Sequence, residues 1–447
     1  HAISAGDDVN ISAKTTDRLL SVLASASAAL SKNLAAAGAV NALNSSAKGN
    51  VTLGAGDANS AVTSKNGSVA ITGNTDTRAI NITVSAAGSR GTAIGMSVNV
   101  NRFDRESIVE IAGGEGYTIQ AAKDVLTSAT GNDTTIMAGL AVAGSTKGLS
   151  LAGNLPVLLS KNRVKTHLGA GTVHAGGEAA FASHLDDHTY TIAGSIALAN
   201  NDSAVGGTAM ILKRTNEVTT DVGTSVITAE GSGRGLKDRV IGASDFSGIY
   251  VGATAGDTTI AAAAGAALAD DIGVTGNVLF GFNTNTVRSD TSRATLNALN
   301  QAKTGGGSVT VEAKDDSQQV IISGGVNFGK LMGLGAAVVS LSAEKNVDAL
   351  MGRATAYKDV NLTADNKDKI FELAVNGAFS QVLSVGIGAA IQSLGSKVNA
   401  IASGDVTAQT GSFALQANNT ASMVNAAGVV AGSTSRSEER FSRNAET

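Results

Sequence analysis

DVLTSATGNDTTIMAGLAVAGSTKGLSLAGNLPVLLSKNRV, residues 124–164, contains one complete unit of a pattern that runs through the whole chain. A short apolar strand opens at Val125 and reaches Gly131-Asn132-Asp133-Thr134, a run of turn-forming residues. In the next segment Ile136, Ala138, Leu140 and Val142 alternate with Met137, Gly139, Ala141 and Ala143. Beyond Lys147-Gly148 a longer run carries Leu149, Leu151, Leu155, Val157 and Leu159 and closes at Asn162-Arg163-Val164. Period-two spacing with β-branched residues predicts strands. Large side chains on one face and small ones on the other predict that both faces are covered, as in a parallel sheet.

The same opening recurs at Val9, Val69, Ala179, Ile249, Val309, Val360 and Phe413, giving units that start near 8, 68, 124, 178, 248, 308, 359 and 412. Seven or eight residues after the first seven openings stand Asp17, Asp76, Asp133, Asp187, Asp257, Asp316 and Asp368; Thr420 takes the eighth place. The next interval, from Asp to closing Val, varies by no more than a single residue among Asp133–Val164, Asp187–Val218, Asp257–Val287, Asp316–Val347 and Asp368–Val398. Length variation falls afterwards: the stretch from Val218 to Ile249 is more than twice as long as that from Val347 to Val360. A constant interval means a fixed register, since a one-residue slip would turn every side chain to the other face. A period of roughly 50 to 70 residues, seen about eight times, means a one-dimensional array of one supersecondary unit.

The expected fold is therefore all-β: a parallel β-solenoid with large coils of about 50–60 residues and roughly eight stacked units. Residues 1–447 are expected to form a single solenoid that is a fragment of a longer chain, because the eighth unit stops part-way and His1 opens directly onto repeat sequence. Two insertions, 229–247 and 291–307, are expected to be loops on one edge, with Leu296 and Leu299 on a short helix. Residues 17–43 look like an Asp-capped, Ala-rich helix in isolation, but their place in the repeat predicts strand. A coil of this length at about 3.3 Å per residue is much longer than a narrow β-helix needs. Either the faces are broad or two strands fold back as a hairpin beside a smaller solenoid.

Composition agrees with a stacked sheet. Hydrophobic residues make up 43% of the chain but aromatics only 3%, so the core is built from Ala, Val, Ile and Leu, with 54 glycines permitting close approach. A single proline, Pro156, suits uninterrupted ladders. With no cysteine, stability rests on stacking instead of disulfides. A net charge of -4 with scattered charges argues against nucleic acid. No run of 18 apolar residues occurs, so no helical membrane span is expected in this segment.

The Asp series has two readings. As turn residues, Asp17, Asp76, Asp133, Asp187, Asp257, Asp316 and Asp368 would cap their own backbone. As a ladder of carboxylates about 4.8 Å apart, the same seven would recruit calcium between coils. His184 and His188 flank Asp186 and Asp187 in the string HLDDH, a transition-metal candidate if the chain turns there. Asn162, Asn216, Asn285 and Asn346, beside the closing valines, are expected to stack as an amide ladder. No GxxxxGK[ST] occurs, and Gly231, Gly233 and Gly235 lie in an insertion without a strand-to-helix context, so no phosphate loop is expected. Acids spread one per unit do not make a catalytic pair, and no enzyme activity and no cofactor are expected.

DVNISAK, SVTVEAK and DVNLTAD, each followed by Ala/Gly-rich strands, resemble the passenger repeats of very large Gram-negative filamentous adhesins, of the filamentous-haemagglutinin-like and leukotoxin types. The resemblance covers nearly the whole chain through motifs of low specificity. It implies a right-handed parallel β-helix, carried through an outer-membrane transporter to the bacterial cell surface. The implied role is attachment to a host or bacterial cell-surface receptor or glycan, often within biofilms. The unit is more than twice the usual β-helical coil of about 20–25 residues, a departure from the family. The expected function is a structural and adhesive stalk of a secreted surface fibre, with the 229–247 and 291–307 loops as contacts. The alternative is a self-assembling subunit of an extracellular filament or sheath, to which the C-terminal string SRSEERFSRNAET would supply a cap or join.

Overall fold

The computed structural model describes residues 2–30, 33–54, 60–112, 116–231 and 235–434. Gly233 and the string at 435–447 lie outside the described residues. The chain is a parallel β-solenoid of two broad facing sheets. One sheet holds eight strands in chain order: Val9–Ala29, Val69–Ser89, Val125–Ser145, Ala179–Ala199, Gly248–Ala269, Ser308–Gly329, Val360–Ser380 and Phe413–Ser433. Every neighbouring pair is parallel, without a register shift. The closing valines Val164, Val218, Val287, Val347 and Val398 form one column of the second sheet.

Each coil crosses the first sheet, turns at a short polar tip, crosses the second sheet, and returns through a short strand. Ser150–Leu168 and Gly171–Ala175 are these two pieces in one coil. Broad faces thus account for the long path, and no hairpin folds back. Within 17–43, residues 17–29 and 34–43 are strand, in Val9–Ala29 and Leu34–Lys48. Ladder bonds to the next coil outweigh the helix propensity of alanine.

Residues 291–298 do not form a loop with a helix. They extend the strand Ile272–Ala298, with a register shift between Thr291 and Thr295, and Leu296 is fully buried. The neighbouring strand offers backbone partners that a lone helical turn would forgo, and a bulge absorbs the extra residues. Only 299–307 is loop, organised by Asn300, whose Oδ1 accepts from the amides of Thr304 and Gly305. The described residues of the other insertion, 230–231 and 235–247, are loop with one short 3-10 turn, Lys237–Arg239.

Three zones cross the width of the interior. Beside the short strands the core is apolar, with Val69, Ile71, Val125, Phe181, Val251 and Leu296. The middle of the first-sheet strands carries charged and amide side chains. Toward the tips the interior is small or amide-bearing, with Ala143, Ala197 and Ala204 beside Asn154 and Asn277. Glycine is required there by proximity: a Cβ on Gly139 would lie 2.7 Å from the Asn154 side chain, and one on Gly265 2.6 Å from Asn277.

Candidate functional site

The aspartates predicted to turn the chain stand in the middle of 21- and 22-residue strands. None of the seven is a turn residue, because their backbone groups belong to continuous ladders. Their faces also differ. Asp17, Asp133, Asp187, Asp257 and Asp368 fall in one inward column, with Thr77, Ser317 and Ala421 in its other places. Asp76 and Asp316 face outward, and Asp315 takes the inward place two residues before Ser317. Facing the column from the second sheet are three buried cations, Arg105, Arg214 and Lys345.

Arg214 pairs through one guanidinium with Asp187 and Asp257, and donates to Thr259 as well. Lys345 reaches Asp315 at 3.1 Å, Asp368 at 3.8 Å and Asp257 at 4.0 Å. Arg105 lies 3.5 Å from Asp133, to which Thr77 donates a hydrogen bond. The seven-member calcium ladder therefore does not exist: two of its carboxylates point away, and the buried inward ones pair with arginine or lysine. Among the described residues, no group of three or more metal-ligating side chains converges.

Five fully buried inward carboxylates (Asp133, Asp187, Asp257, Asp315, Asp368) face three cations, while Asp17, at the open end of the column, is only half-buried. The imbalance favours proton binding at some of these acids. Burial pushes Asp133 up to about 6, with Arg105 acting against it and Asp187 adding to it. Burial also raises Asp315 and Asp368 against the pull of Lys345. Burial would raise Asp257 too, but Arg214 and Lys345 hold it below the ordinary carboxylate range. For Arg214, burial is outweighed by Asp187 and Asp257, which keep it charged.

The amide ladder is real over three members. Asn162 donates to Asn216 at 3.0 Å and Asn216 to Asn285 at 3.2 Å. The fourth member is Lys345 and not Asn346, which faces outward one residue later. The sequence did hold the signal for the missed cations. Lys345 stands two residues before closing Val347, as Asn162 and Asn216 stand two before Val164 and Val218. Spacing of two keeps a residue on the same face of a strand.

HLDDH is also strand. Leu185 and Asp187 point inward, while His184, Asp186 and His188 point out. His184 Nδ1 pairs with Thr254 Oγ1 at 2.8 Å, and burial lowers its pKa. His188 Nε2 lies 3.3 Å from Asp186 and its ring stacks near Tyr190. Four strand residues separate the two imidazoles by about 13 Å, too far to share a metal.

The 230–247 loop is packed down, not projecting. Leu236, Val240 and Phe246 cover Leu126, Ala180 and Tyr250 on the outer face of the first sheet. Glu178 accepts from the Leu236 amide at 2.8 Å, and buried Glu312 accepts from the Ser244 amide and the Tyr250 hydroxyl at 2.9 and 2.7 Å. Beside the other loop lies an open depression of about 420 Å³ lined by His174, Glu230, Asn297, Asn300 and Lys303.

These features define a class: a parallel β-solenoid with two wide sheets and a buried ion column. Comparison with protein-family models, curated proteins and solved structures returns no match, so any functional reading rests on the geometry.

Proposed function

We propose that this chain is a structural and adhesive segment of a secreted bacterial surface fibre. The observation that carries the reading is the unbroken register of eight parallel first-sheet strands, faced by seven long parallel strands of the second sheet, an array that presents the same outer rows coil after coil. Each coil adds about 4.8 Å along the axis and about 70 Å of strand across it. Such a coil provides area more than reach, so the broad faces, not the packed-down 230–247 loop, are the adhesive surfaces. A receptor, glycan or other surface component is the partner, and an outer-membrane transporter serves export.

Self-assembly is a second reading, favoured by strand edges. Among the described residues, Val9–Ala29 and Phe413–Ser433 each pair on one side only, and open parallel edges template further pairing. Electron microscopy of the purified chain separates the two. Discrete slabs of one length sink the polymer, whereas indefinite filaments support it. Deleting 230–247 tests the assignment of adhesion to the faces: attachment of coated beads to cells should survive the deletion, and its loss would return the role to the loop.

A further inference from the structure

Near the tips the solenoid is inside out. On Ala179–Ala199 the outward positions from 190 onward are Tyr190, Ile192, Gly194, Ile196 and Leu198. On the next strand they are Ile260, three alanines and Leu268. Across all eight first-sheet strands, the five matching outward rows contain only Gly, Ala, Val, Leu, Ile, Phe and this one Tyr. The facing stretch of the second sheet has four outward rows over seven strands, apolar except for Ser340. Ile192 is 65% exposed, Met96 53% and Ile391 58%. Between the sheets the amides Asn81, Asn99, Asn101, Asn154, Asn277 and Asn376 are buried among small and apolar side chains such as Ala143, Ala193, Ala197, Met210 and Ile321.

The band has sharp margins. Charged outward rows bound it on one side, with Asp76, His188, Gln318 and Lys369 on the first sheet and Arg102, Lys161 and Lys213 on the second. Polar tips bound the other side, with Arg90, Lys147, Asp202, Asp270 and Lys330. Outward aromatics collect at both margins. Tyr190, Phe280, Phe282 and Phe371 lie toward the charged rows, and Phe328 and Phe379 stack at 5.0 Å toward the tips.

From the first apolar row to the last is eight residues, or about 26 Å at 3.3 Å per residue, against a hydrocarbon core of about 30 Å. Seven strand spacings give the first-sheet face a length of about 34 Å and six give the second about 29 Å, so the first-sheet face approaches 900 Å², well above the few hundred typical of a monomer's largest patch. We propose that this half of the solenoid is immersed in a lipid bilayer. Both apolar faces contact acyl chains, the strands run across the membrane, and the tips emerge on its far side. A second copy packed on one face would leave the other bare, whereas hydrocarbon covers both at one height. Aromatic margins and polar side chains in the interior are the features expected of lipid-facing strands. Helical spans play no part: among the described residues no helix is long and apolar enough to cross a membrane. Because hydrocarbon leaves no backbone group without a partner, immersed slabs adjoin edge to edge, through further coils or further copies. The immersed band takes the tip half of each broad face and leaves the remaining half of each as the adhesive surface.

The chain has no Trp and no Cys, so a single introduced Trp reports its own depth. Ala264→Trp (mid-band), Leu268→Trp (tip margin) and Gln318→Trp (charged row) are made singly in the purified chain. Each is mixed with phosphatidylcholine vesicles, with and without phosphatidylglycerol, carrying acyl chains brominated at defined depths. The expected result is co-flotation with both vesicle types. Ala264→Trp is quenched most by bromines near the bilayer centre, Leu268→Trp by shallow ones, and Gln318→Trp by none. Ile192→Lys, Ile196→Lys and Ile322→Lys, whose side chains lie outside the core, should each lower the bound fraction roughly tenfold or more with the circular dichroism unchanged. Failure to float, flotation that needs phosphatidylglycerol and ignores the lysines, or equal quenching at all three sites would overturn the proposal. So would vesicle-independent self-association that shields Ala264→Trp, which would assign the band to a second copy. A variant that loses its β-sheet spectrum is set aside, and the three Trp reporters still decide.

Discussion

Replacing Lys345 by methionine keeps the length of the side chain and removes the one charge shared by Asp315, Asp368 and Asp257. All four side chains are wholly or almost wholly buried. At contact distances of 3.1 to 4.0 Å, each attraction is about 4–5 kcal/mol for an effective dielectric of 20. Desolvation of the ammonium and repulsion among the acids oppose that sum. Breaking a buried pair from one side costs about 3–5 kcal/mol net. Burial already holds Asp315 and Asp368 above the ordinary range with Lys345 pulling down, so both rise further in the variant. An acid whose folded pKa exceeds its unfolded value destabilises the fold as pH climbs from the lower value through the higher. The deficit is therefore small below about pH 4 and complete above the raised pKa values. Arrays open locally, so the readout is hydrogen-exchange protection at pH 4.5 and pH 8. At pH 8, protection in Ser308–Gly329 and Val360–Ser380 should fall by roughly two to three orders of magnitude. Val125–Ser145, several coils away, should be unchanged. Adding Asp315→Asn and Asp368→Asn to the same chain should restore most of the loss. A fall under tenfold, or an equal fall at both pH values, would refute the assignment of Lys345 as the charge that holds these acids.

Four shorter expectations follow from the same interior. Glu372 is fully buried, neither carboxylate oxygen has a hydrogen-bond partner, and burial pushes it up to about 7. Ionisation therefore weakens the fold progressively as pH rises from about 4.5 through about 7, and Glu372→Gln should raise the melting temperature much more at pH 8 than at pH 5; an equal gain at both would refute this. Asn216→Leu interrupts the amide ladder and should cost about 1–3 kcal/mol, measured as lost protection in Ala204–Asp221. Tyr250→Phe removes a donor from buried Glu312 and should speed proteolysis within 230–247 several-fold, with the rest of the slab resistant; an unaltered cleavage rate would mean that the apolar cover alone pins the loop. Chelator should leave the thermal melt unmoved, and a drop of several degrees would reinstate calcium in the acid column.

The repeat, its eight openings and its closing-valine column were legible because strand register leaves a fixed interval in the sequence. The role of the aspartates was misread through a difference of one residue. Asp133, Asp187, Asp257 and Asp368 stand eight residues after their strand openings, an even step that keeps them on the inward face of Val125 or Val360. Asp76 and Asp316 stand seven after theirs and so point outward. Treating seven and eight as one spacing merged two faces into a single ladder. The same parity error put Asn346 in place of Lys345. Turn chemistry misled as well, since Gly131-Asn132-Asp133-Thr134 has the composition of a turn, yet ladder bonds on both sides keep it extended. The partners of the aspartates were harder to see. Arg105, Arg214 and Lys345 meet them across the interior from the opposite sheet, and only the pairing of the two sheets sets which cation faces which acid.

The zero-shift stacking of the coils also sets how the chain yields under load. Strands lie across the stacking axis, so a pull on the two termini does not shear a sheet. It peels the terminal coil, loading its ladder bonds one after another as in a zipper. The spacing of first-sheet strand openings along the chain is widest from Ala179 to Ile249 and narrowest from Val309 to Val360. Each released coil would therefore add roughly 170–250 Å of slack at 3.3–3.6 Å per residue. A tether of this design gives way in small steps at nearly constant force and limits the tension that reaches whatever is fastened at its end.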